Sequence, residues 1–584
     1  MPDITAKYRN ELYLALIIIA GILLRLYFQI GHIFSDDAYY SYLSYTLLGG
    51  EFARDYLGYP IFPLRLTFLS ITALSFNIFG INEFATIIFP YLLSIANLIL
   101  TYKLAKLLTG DVNVSLLAAL LMAFFPTDIV FATIGFVDLP NVFFINLGIY
   151  FLYKSYKFNK NLLAIVGGIL FFLSMQIKEN IYYVAILLII LLVYIIVKKK
   201  HLNTQIVIAL LFILLNVVVE GIVYLILHKD FLYRFTLLQQ NYNYSYYDFF
   251  PHTAQKISNV KNYWLNLFDQ IFIVNSKAIF LRRFYLFLPI FASIKSMINI
   301  GKKENLLLTF WFFGTLILLI AFTTSFTEYK PLDLKRSWYI YPLLMPMIII
   351  SASLINELKR HLRYILVSAY IIGGVIMCTH YEVYFDKENK TELKLFIAKN
   401  KQRKIFTDHF TKYSVDLIRS YFDLTKSERI LESDVNWKEL NKGDWIIYNQ
   451  KHIDELKMQK YNFPNFSTFQ SGSFSKIKQF GDFVIYEKMQ QLFGKVDRIL
   501  VCAGGGGGTG GGSCLRLVET AKKYLQYIGV TDVNTRVGVL LTLPTAGECS
   551  SPAIADNAHL IASTLCTYAE EGKLSPLIIF DNDK

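Results

Sequence analysis

The chain has 584 residues, 54% of them hydrophobic and 17% charged, with 48 Phe and 40 Tyr. That composition excludes an ordinary soluble protein, because long apolar runs in one chain leave no water-facing positions to alternate with. The net charge of +13, from 57 Lys+Arg against 44 Asp+Glu, could suit nucleic acid. The basic residues fall instead in short clusters between apolar runs, which points to membrane topology and a lipid bilayer, with no nucleic-acid partner.

A span needs roughly 20 apolar residues, and runs of that kind predict about eleven spans. They lie near 11–30, 84–103, 112–130, 133–153, 161–178, 180–197, 203–227, 281–300, 304–326, 338–356 and 364–380. The first run has no small-residue cleavage site behind it and reads as a retained signal anchor. Lys7 and Arg9 precede it; Lys103 and Lys106, then Lys154, Lys157 and Lys160, then Lys198, Lys199 and Lys200 follow the second, fourth and sixth spans. Lys302 and Lys303 follow the eighth, and Lys359, Arg360 and Arg363 the tenth. All these clusters fall on one side, which the positive-inside rule makes cytoplasmic. The N-terminus is then cytoplasmic and the protein is a multi-pass protein of the cell membrane, or of the ER membrane in a eukaryote. Residues 61–80 are long enough to span, but a span there would move every later cluster outside, so they read as interfacial or re-entrant.

The outside then receives the loop 31–60, the loop around 126–132, the tip near Lys178, the loops 228–280 and 327–337, and everything after 380. QQNYNYSYYDFFPH, in the loop 228–280, suits a membrane interface or stacking on sugars. Residues 1–380 form the membrane domain, and residues 381–490 a small soluble α/β domain with IFTD, DWIIYN and DFVIYE as short strands. The latter reads as a cap or acceptor-docking unit. Of five cysteines only Cys378 precedes residue 500, so the membrane part has no disulfide framework or zinc spacing.

The residues with the strongest chemical signal are the paired acids just past the first span, Asp36 and Asp37 in FSDDAYY. Two adjacent carboxylates near a bilayer are costly unless solvated, paired or working. Each raises the other's pKa, which suits a general base or a metal ligand. The plain alternative is a solvated N-cap for the helix that follows, where Asp satisfies free amides. For Lys178 the alternative is a snorkelling span end, and for Asp138 an N-cap beside Pro140.

These motifs, in this order, resemble the GT-C membrane glycosyltransferases. The acidic pair is followed by Ala38-Tyr39-Tyr40 and a Leu47-Leu48-x-Gly50 turn. The stretch from Tyr59-Pro60 to Phe79-Gly80 is similar to a family segment that ends in Phe-Gly. Phe125-Pro126 and Asp138-Leu139-Pro140 match a second acidic site at the start of a span. Gln176-Ile177-Lys178-Glu179 and Arg336-Ser337-Trp338-Tyr339, running on to Pro342 and Pro346, supply two later steps. The resemblance covers roughly residues 1–490 and lies nearest the dolichyl-phosphate-mannose protein mannosyltransferase and aminoarabinose transferase branch.

The resemblance implies an α-helical polytopic enzyme that moves a sugar from a polyprenyl-phosphate donor to an acceptor hydroxyl, on protein, lipid or glycan, outside the cytoplasm and with inversion. Asp36 is then the base and Asp37 its support, with Asp138 orienting the acceptor or supporting the base. Lys178, Lys335 and Arg336 are candidates to hold the donor phosphate, with Glu179, Tyr39 and Tyr40 in support. The pair here is Asp-Asp where the family usually has Asp-Glu. No metal motif is present, so no cofactor is assigned and a divalent metal stays open. The alternative from another class is a transporter or lipid flippase. No inverted repeat supports it, and Glu220 is the only ionisable residue stranded in mid-span.

Composition changes near residue 493, and the segment 493–584 holds Cys502, Cys514, Cys549 and Cys566. A strand-like RILVCA runs into glycines 504–512 and a helix-like LRLVETAKKYL, a pattern that lets backbone amides crowd a phosphate. No Lys follows the glycines, so this is not a Walker loop. Gly506-Gly507-Gly508-Thr509-Gly510, LLTLPTAGE and the strand ending at Asn582 resemble parts of the tubulin/FtsZ nucleotide site. The match is a partial α/β fragment without the rest of that site. It reads as a vestigial nucleotide-like loop in a fused piece, with no GTPase activity expected.

Overall fold

The computed structural model describes residues 4–50, 61–200, 202–247, 260–272, 284–298, 303–321, 331, 332, 334, 336–380, 387–421, 427–429, 440–449, 474–489, 498–506, 508–528 and 530–583. Contacts divide the chain into two units, Met1–Met489 and Gln490–Lys584.

Apolar runs become helices where the sequence also supplies their ends. In order these are α1 (Ile4–Tyr27), α2 (Asp36–Leu48), α3 (Leu66–Phe79), α4 (Glu83–Thr109), α5 (Val112–Ala123), α6 (Pro126–Phe131), α7 (Asp138–Phe158), α8 (Asn161–Met175), α9 (Ile181–Lys199), α10 (Thr204–His228) and α11 (Tyr233–Tyr247). Asn82, Asp111 and Asn203 cap α4, α5 and α10 by accepting backbone amides of the first turn. Gly110 closes α4 in the left-handed region at φ 71°. Among the described residues six helices are long and apolar enough to cross a membrane: Tyr8–Tyr27, Glu83–Thr109, Ile181–Lys198, Thr204–His228, Trp338–Glu357 and Arg360–Thr379. Leu66–Phe79, Val112–Ala123, Asn161–Met175, Phe287–Ile298 and Asn305–Ala321 are apolar but shorter. Helix length thus supports six spans where run length predicts about eleven. On α1, Leu12, Leu16, Ile19 and Leu23 are more than half exposed, as lipid-facing residues are.

The sequence also misjudges continuity. The run 112–130 is not one helix: α5 stops at Ala123 and Pro126 opens the short α6. A residue before proline is pushed out of the helical region, and proline suits the first helical position. Similarly, the run 338–356 starts as a tight 3-10 helix, Ser337–Leu343, before the α-helix Leu344–Glu357. The expected 133–153 span begins at Asp138. α7 and α8 approach closely because small residues face each other. A Cβ on Gly167 would lie 3.0 Å from the Gly148 carbonyl oxygen.

After the last apolar helix of the first unit a five-stranded sheet has the order β2-β1-β3-β5-β4, with β1 (Ile405–Thr407), β2 (Ser427–Arg429), β3 (Trp445–Asn449), β4 (Phe474–Phe480) and β5 (Phe483–Lys488). β1 runs parallel to β2 and β3, while β5 is antiparallel to β3 and β4. Helices Lys387–Lys399 and His409–Ile418 accompany the sheet, the second packing against α2.

The second unit is a parallel three-stranded sheet, β6 (Ile499–Gly504), β7 (Val537–Leu543) and β8 (Leu577–Asp581), with helices Gly508–Tyr527 and Pro552–Glu570 as its connections. Val501, Val537, Val539 and Leu541 bury against Val518, Leu525 and Leu565. The glycine run therefore does join a strand to a helix. Gly507 lies outside the described residues, Gly508, Thr509 and Gly510 form the helix start, and Asn582 follows β8.

Candidate functional site

The acidic pair opens α2. Asp37 is buried, at 1% exposure. It folds the preceding loop onto itself by accepting hydrogen bonds from the backbone amides of Ile33 (2.7 Å) and Ser35 (2.9 Å). Its Oδ2 also lies 2.8 Å from His32 Nδ1. Burial alone would raise its pKa, but His32 and the two amides outweigh that and hold it below the usual carboxylate range. Asp37 is thus a loop anchor, a more structural post than the support expected of it.

Asp36 is the opposite case. It is half-buried, and among the described residues no hydrogen bond or ion pair engages it. Burial pushes its carboxyl up to about 6, helped by Asp37 and Asp138 and opposed by Arg65 and Arg336. A carboxylate with free lone pairs and a pKa near neutrality is what proton abstraction needs.

Arg65 is the residue that sequence reasoning missed. It joins the 3-10 turn Phe62–Leu64 to α3 and is 6% exposed. Its Nη1 donates to the Tyr40 hydroxyl, and its Cζ sits 4.5 Å from the Phe62 ring centre, which itself stacks on Tyr40 at 4.7 Å. Its Nε is buried and, among the described residues, meets no acceptor. The available signal was a lone arginine in the apolar segment 61–80. Tyr40 therefore supports a cation, while Tyr39 packs between Phe62 and Tyr413 in the core.

Asp138, at the start of α7, meets Lys178, just past the end of α8, with Nζ 2.5 Å from Oδ1 and both side chains buried. Asn141 fixes this corner by donating to the carbonyls of Ser174 and Lys178, each at 2.9 Å. Lys178 Nζ also lies 5.4 Å from the Tyr339 ring centre. Glu179 stands between Arg65 (4.0 Å) and Arg234 (3.5 Å). Arg234 in turn pairs with Glu220 at 2.6 Å, so the mid-span acid that favoured a transport path is neutralised. Arg336 caps the 3-10 helix and lies against Trp338, 5.3 Å from its ring centre, close enough to Asp36 to lower its pKa. Lys335 lies outside the described residues. Among those residues no group of three or more His, Cys, Asp or Glu side chains could hold a metal ion.

Asp36, Arg65, Asp138, Lys178 and Arg336 therefore share one electrostatic neighbourhood at one end of the bundle. Lys157 lies near the other end of α7, about 28 Å from Asp138 at 1.5 Å per residue. This is a multi-pass membrane protein with a charged site at the helix ends.

The family model for dolichyl-phosphate-mannose-protein mannosyltransferase matches residues 66–224. ArnT from Cupriavidus metallidurans in the apo state superposes with TM-score 0.51 at 11% identity, covering 84% of this chain and 99% of that one. The same protein bound to undecaprenyl phosphate gives 0.50 at 10%, covering 84% and 100%. The Archaeoglobus fulgidus oligosaccharyltransferase gives 0.45 at 10%, over 71% of this chain and 64% of that one. A curated uncharacterized protein of Aquifex aeolicus is 34% identical over 93 residues, which span 16% of this chain and only 19% of that protein. The resemblance to GT-C membrane glycosyltransferases holds in the family match and in the fold. The tubulin/FtsZ resemblance of the second unit gains no support from these comparisons.

Proposed function

We propose that this protein transfers a sugar from a polyprenyl-phosphate donor to an acceptor hydroxyl on the non-cytoplasmic side of the membrane. The observation that carries the reading is Asp36, an unengaged carboxyl with a pKa near 6, set among Arg65, Arg336 and the Asp138–Lys178 pair. Asp36 takes the acceptor proton as the acceptor oxygen bonds to the anomeric carbon. The bond from that carbon to the phosphate oxygen breaks on the opposite face, its electron pair leaves with the polyprenyl phosphate, and the anomeric centre inverts. Charge grows on the departing phosphate, where Arg336 and Arg65 stabilise it; no acid is needed for so good a leaving group. Lys178 contributes less, since Asp138 already neutralises it. The packing of the helix His409–Ile418 against α2 supports a role for its domain in docking the acceptor.

The basic clusters at the opposite helix ends support the non-cytoplasmic side. The test is transfer from a panel of radiolabelled polyprenyl-phosphate sugars in proteoliposomes. Transfer that needs Asp36 supports the reading. Sugar-lipid movement across the bilayer without glycosidic transfer would replace it with transport.

A further inference from the structure

The helical bundle holds a second charged cluster that the proposed chemistry does not use. Arg25, near the end of α1, and Asp128, on the short α6, are both fully buried and pair at 2.5 Å. Arg25 Nε donates to Ser94 on α4 at 2.5 Å, and its Nη1 to the carbonyls of Gly21 (3.0 Å) and Ala123 (3.4 Å). Asp128 also accepts from the Ser94 hydroxyl, from Asn97 Nδ2 (3.3 Å) and from the Tyr341 hydroxyl (2.5 Å). Two opposite charges taken wholly out of water stabilise little by themselves. What this cluster does is fix geometry, because it joins α1, α4, α6 and the 3-10 helix Ser337–Leu343 at one point.

Arg336, one of the site's cations, stands at the N-cap of that 3-10 helix. With three residues per turn, positions three apart lie on one side. Trp338 and Tyr341 meet α6: Trp338 packs on Phe131 and Tyr341 bonds Asp128 and packs on the same Phe131. Arg336 and Tyr339 meet the site, through Asp36 and Lys178. The Arg336 guanidinium rests on Trp338, so the placement of Trp338 contributes to that of Arg336.

We propose that the Arg25–Asp128–Tyr341 cluster is a positioning device that locks the 3-10 helix so that Arg336 points at the donor phosphate. Tyr341 is its decisive member, since its hydroxyl ties the cluster to the 3-10 helix. This rests on the reading of Arg336 as a phosphate ligand, and the experiment separates the two.

The full-length protein in detergent is titrated with undecaprenyl phosphate and with dolichyl phosphate, the tighter binder serving as probe. Arg336→Ala weakens binding. Tyr341→Phe, which removes one oxygen, weakens it about tenfold with an unchanged melting temperature; Asp128→Asn loosens the same contact and weakens binding too, but it strands the buried Arg25 charge and lowers the melting temperature. The decisive outcome is the double variant Tyr341→Phe/Arg336→Ala, which binds no more weakly than Arg336→Ala alone. If the two losses multiply, or if Tyr341→Phe and Asp128→Asn both bind like the wild type while Arg336→Ala does not, the positioning role is overturned and the phosphate reading stands. If Arg336→Ala binds like the wild type, or the wild type binds neither lipid, the phosphate reading falls and the positioning role with it.

Discussion

Lys178 reaches Asp138 across 40 residues of sequence, its Nζ 2.5 Å from Oδ1. The cation thus comes to the site already neutralised, held in a corner that Asn141 ties together. Removing one partner of a buried pair strands the other charge, at a cost of about 3–5 kcal/mol, whereas removing both is far milder. Asp138→Asn and Lys178→Met should each lower the melting temperature sharply. Asp138→Asn/Lys178→Met should recover most of the loss. Thermal denaturation of the three variants checks this, and additive losses would show that the pair is not coupled.

Asp36 makes a kinetic prediction and a stability prediction. As the base it must be ionised, so transfer should rise with pH through an apparent pKa of about 6 and level off above it. Arg65 lowers that pKa, so in Arg65→Gln the rising limb should move to higher pH. Asp36→Asn should reduce transfer by at least about two orders of magnitude at the plateau. A pH profile of kcat/KM for the three proteins decides, and a limb that stays put in Arg65→Gln counts against the arrangement.

The stability consequence has the opposite sign from most carboxylates. The folded protein binds the Asp36 proton more tightly than the unfolded chain does, so folding stability is lost as pH rises from about 4 to about 6. Asp36→Asn removes the penalty. It should stabilise the protein at pH 7 by on the order of 2 kcal/mol, less where solvent screens the half-buried carboxylate, and change nothing near pH 4. Melting temperatures at the two pH values test this. A variant that is less stable at pH 7 would mean that Asp36 makes a native contact.

Sidedness can be read by thiol labelling. Lys229 follows α10 and Asn161 opens α8, both exposed and at opposite helix ends. In intact cells Lys229→Cys should react with an impermeant maleimide added outside, and Asn161→Cys only after permeabilisation. The reverse pattern would put the charged site in the cytoplasm.

The second unit has its own sheet and core, so its deletion should be tolerated. Removing residues 493–584 should leave transfer unchanged, and the full chain should show no saturable GTP binding. A transferase that dies on the deletion, or micromolar GTP binding lost in Thr509→Ala/Gly510→Ala, would make this unit part of the machine.

The sequence made the acidic helix legible because Asp36 and Asp37 break an apolar context and stand next to each other. It could not divide their labour, which depends on where the amides of Ile33 and Ser35 point after the loop has closed. Asp138, Lys178 and Arg336 were legible as charges at span ends, and the same reasoning overlooked Arg65 because a single charge in segment 61–80 looked incidental. The Arg25–Asp128 pair was invisible for a different reason: 103 residues separate its members, and neither stands in a motif. Strands β1, β3 and β5 announced themselves through β-branched and aromatic runs. β4 did not, because FSKIKQF alternates with lysines on an exposed face.

Phe34 sits just before the acidic helix in the left-handed region, φ 61°, a conformation that an aromatic residue adopts only under constraint. Its ring is buried against Phe483 of β5 at 5.2 Å, and two residues earlier His32 touches Ser414 at 2.9 Å. The turn that aims Asp36 is therefore propped from outside the membrane bundle. A chain cut at residue 380, where composition invites the knife, would leave Phe34 free to relax and the acidic pair without its bearing. The boundary that looks natural to a protein engineer is not one that the molecule observes.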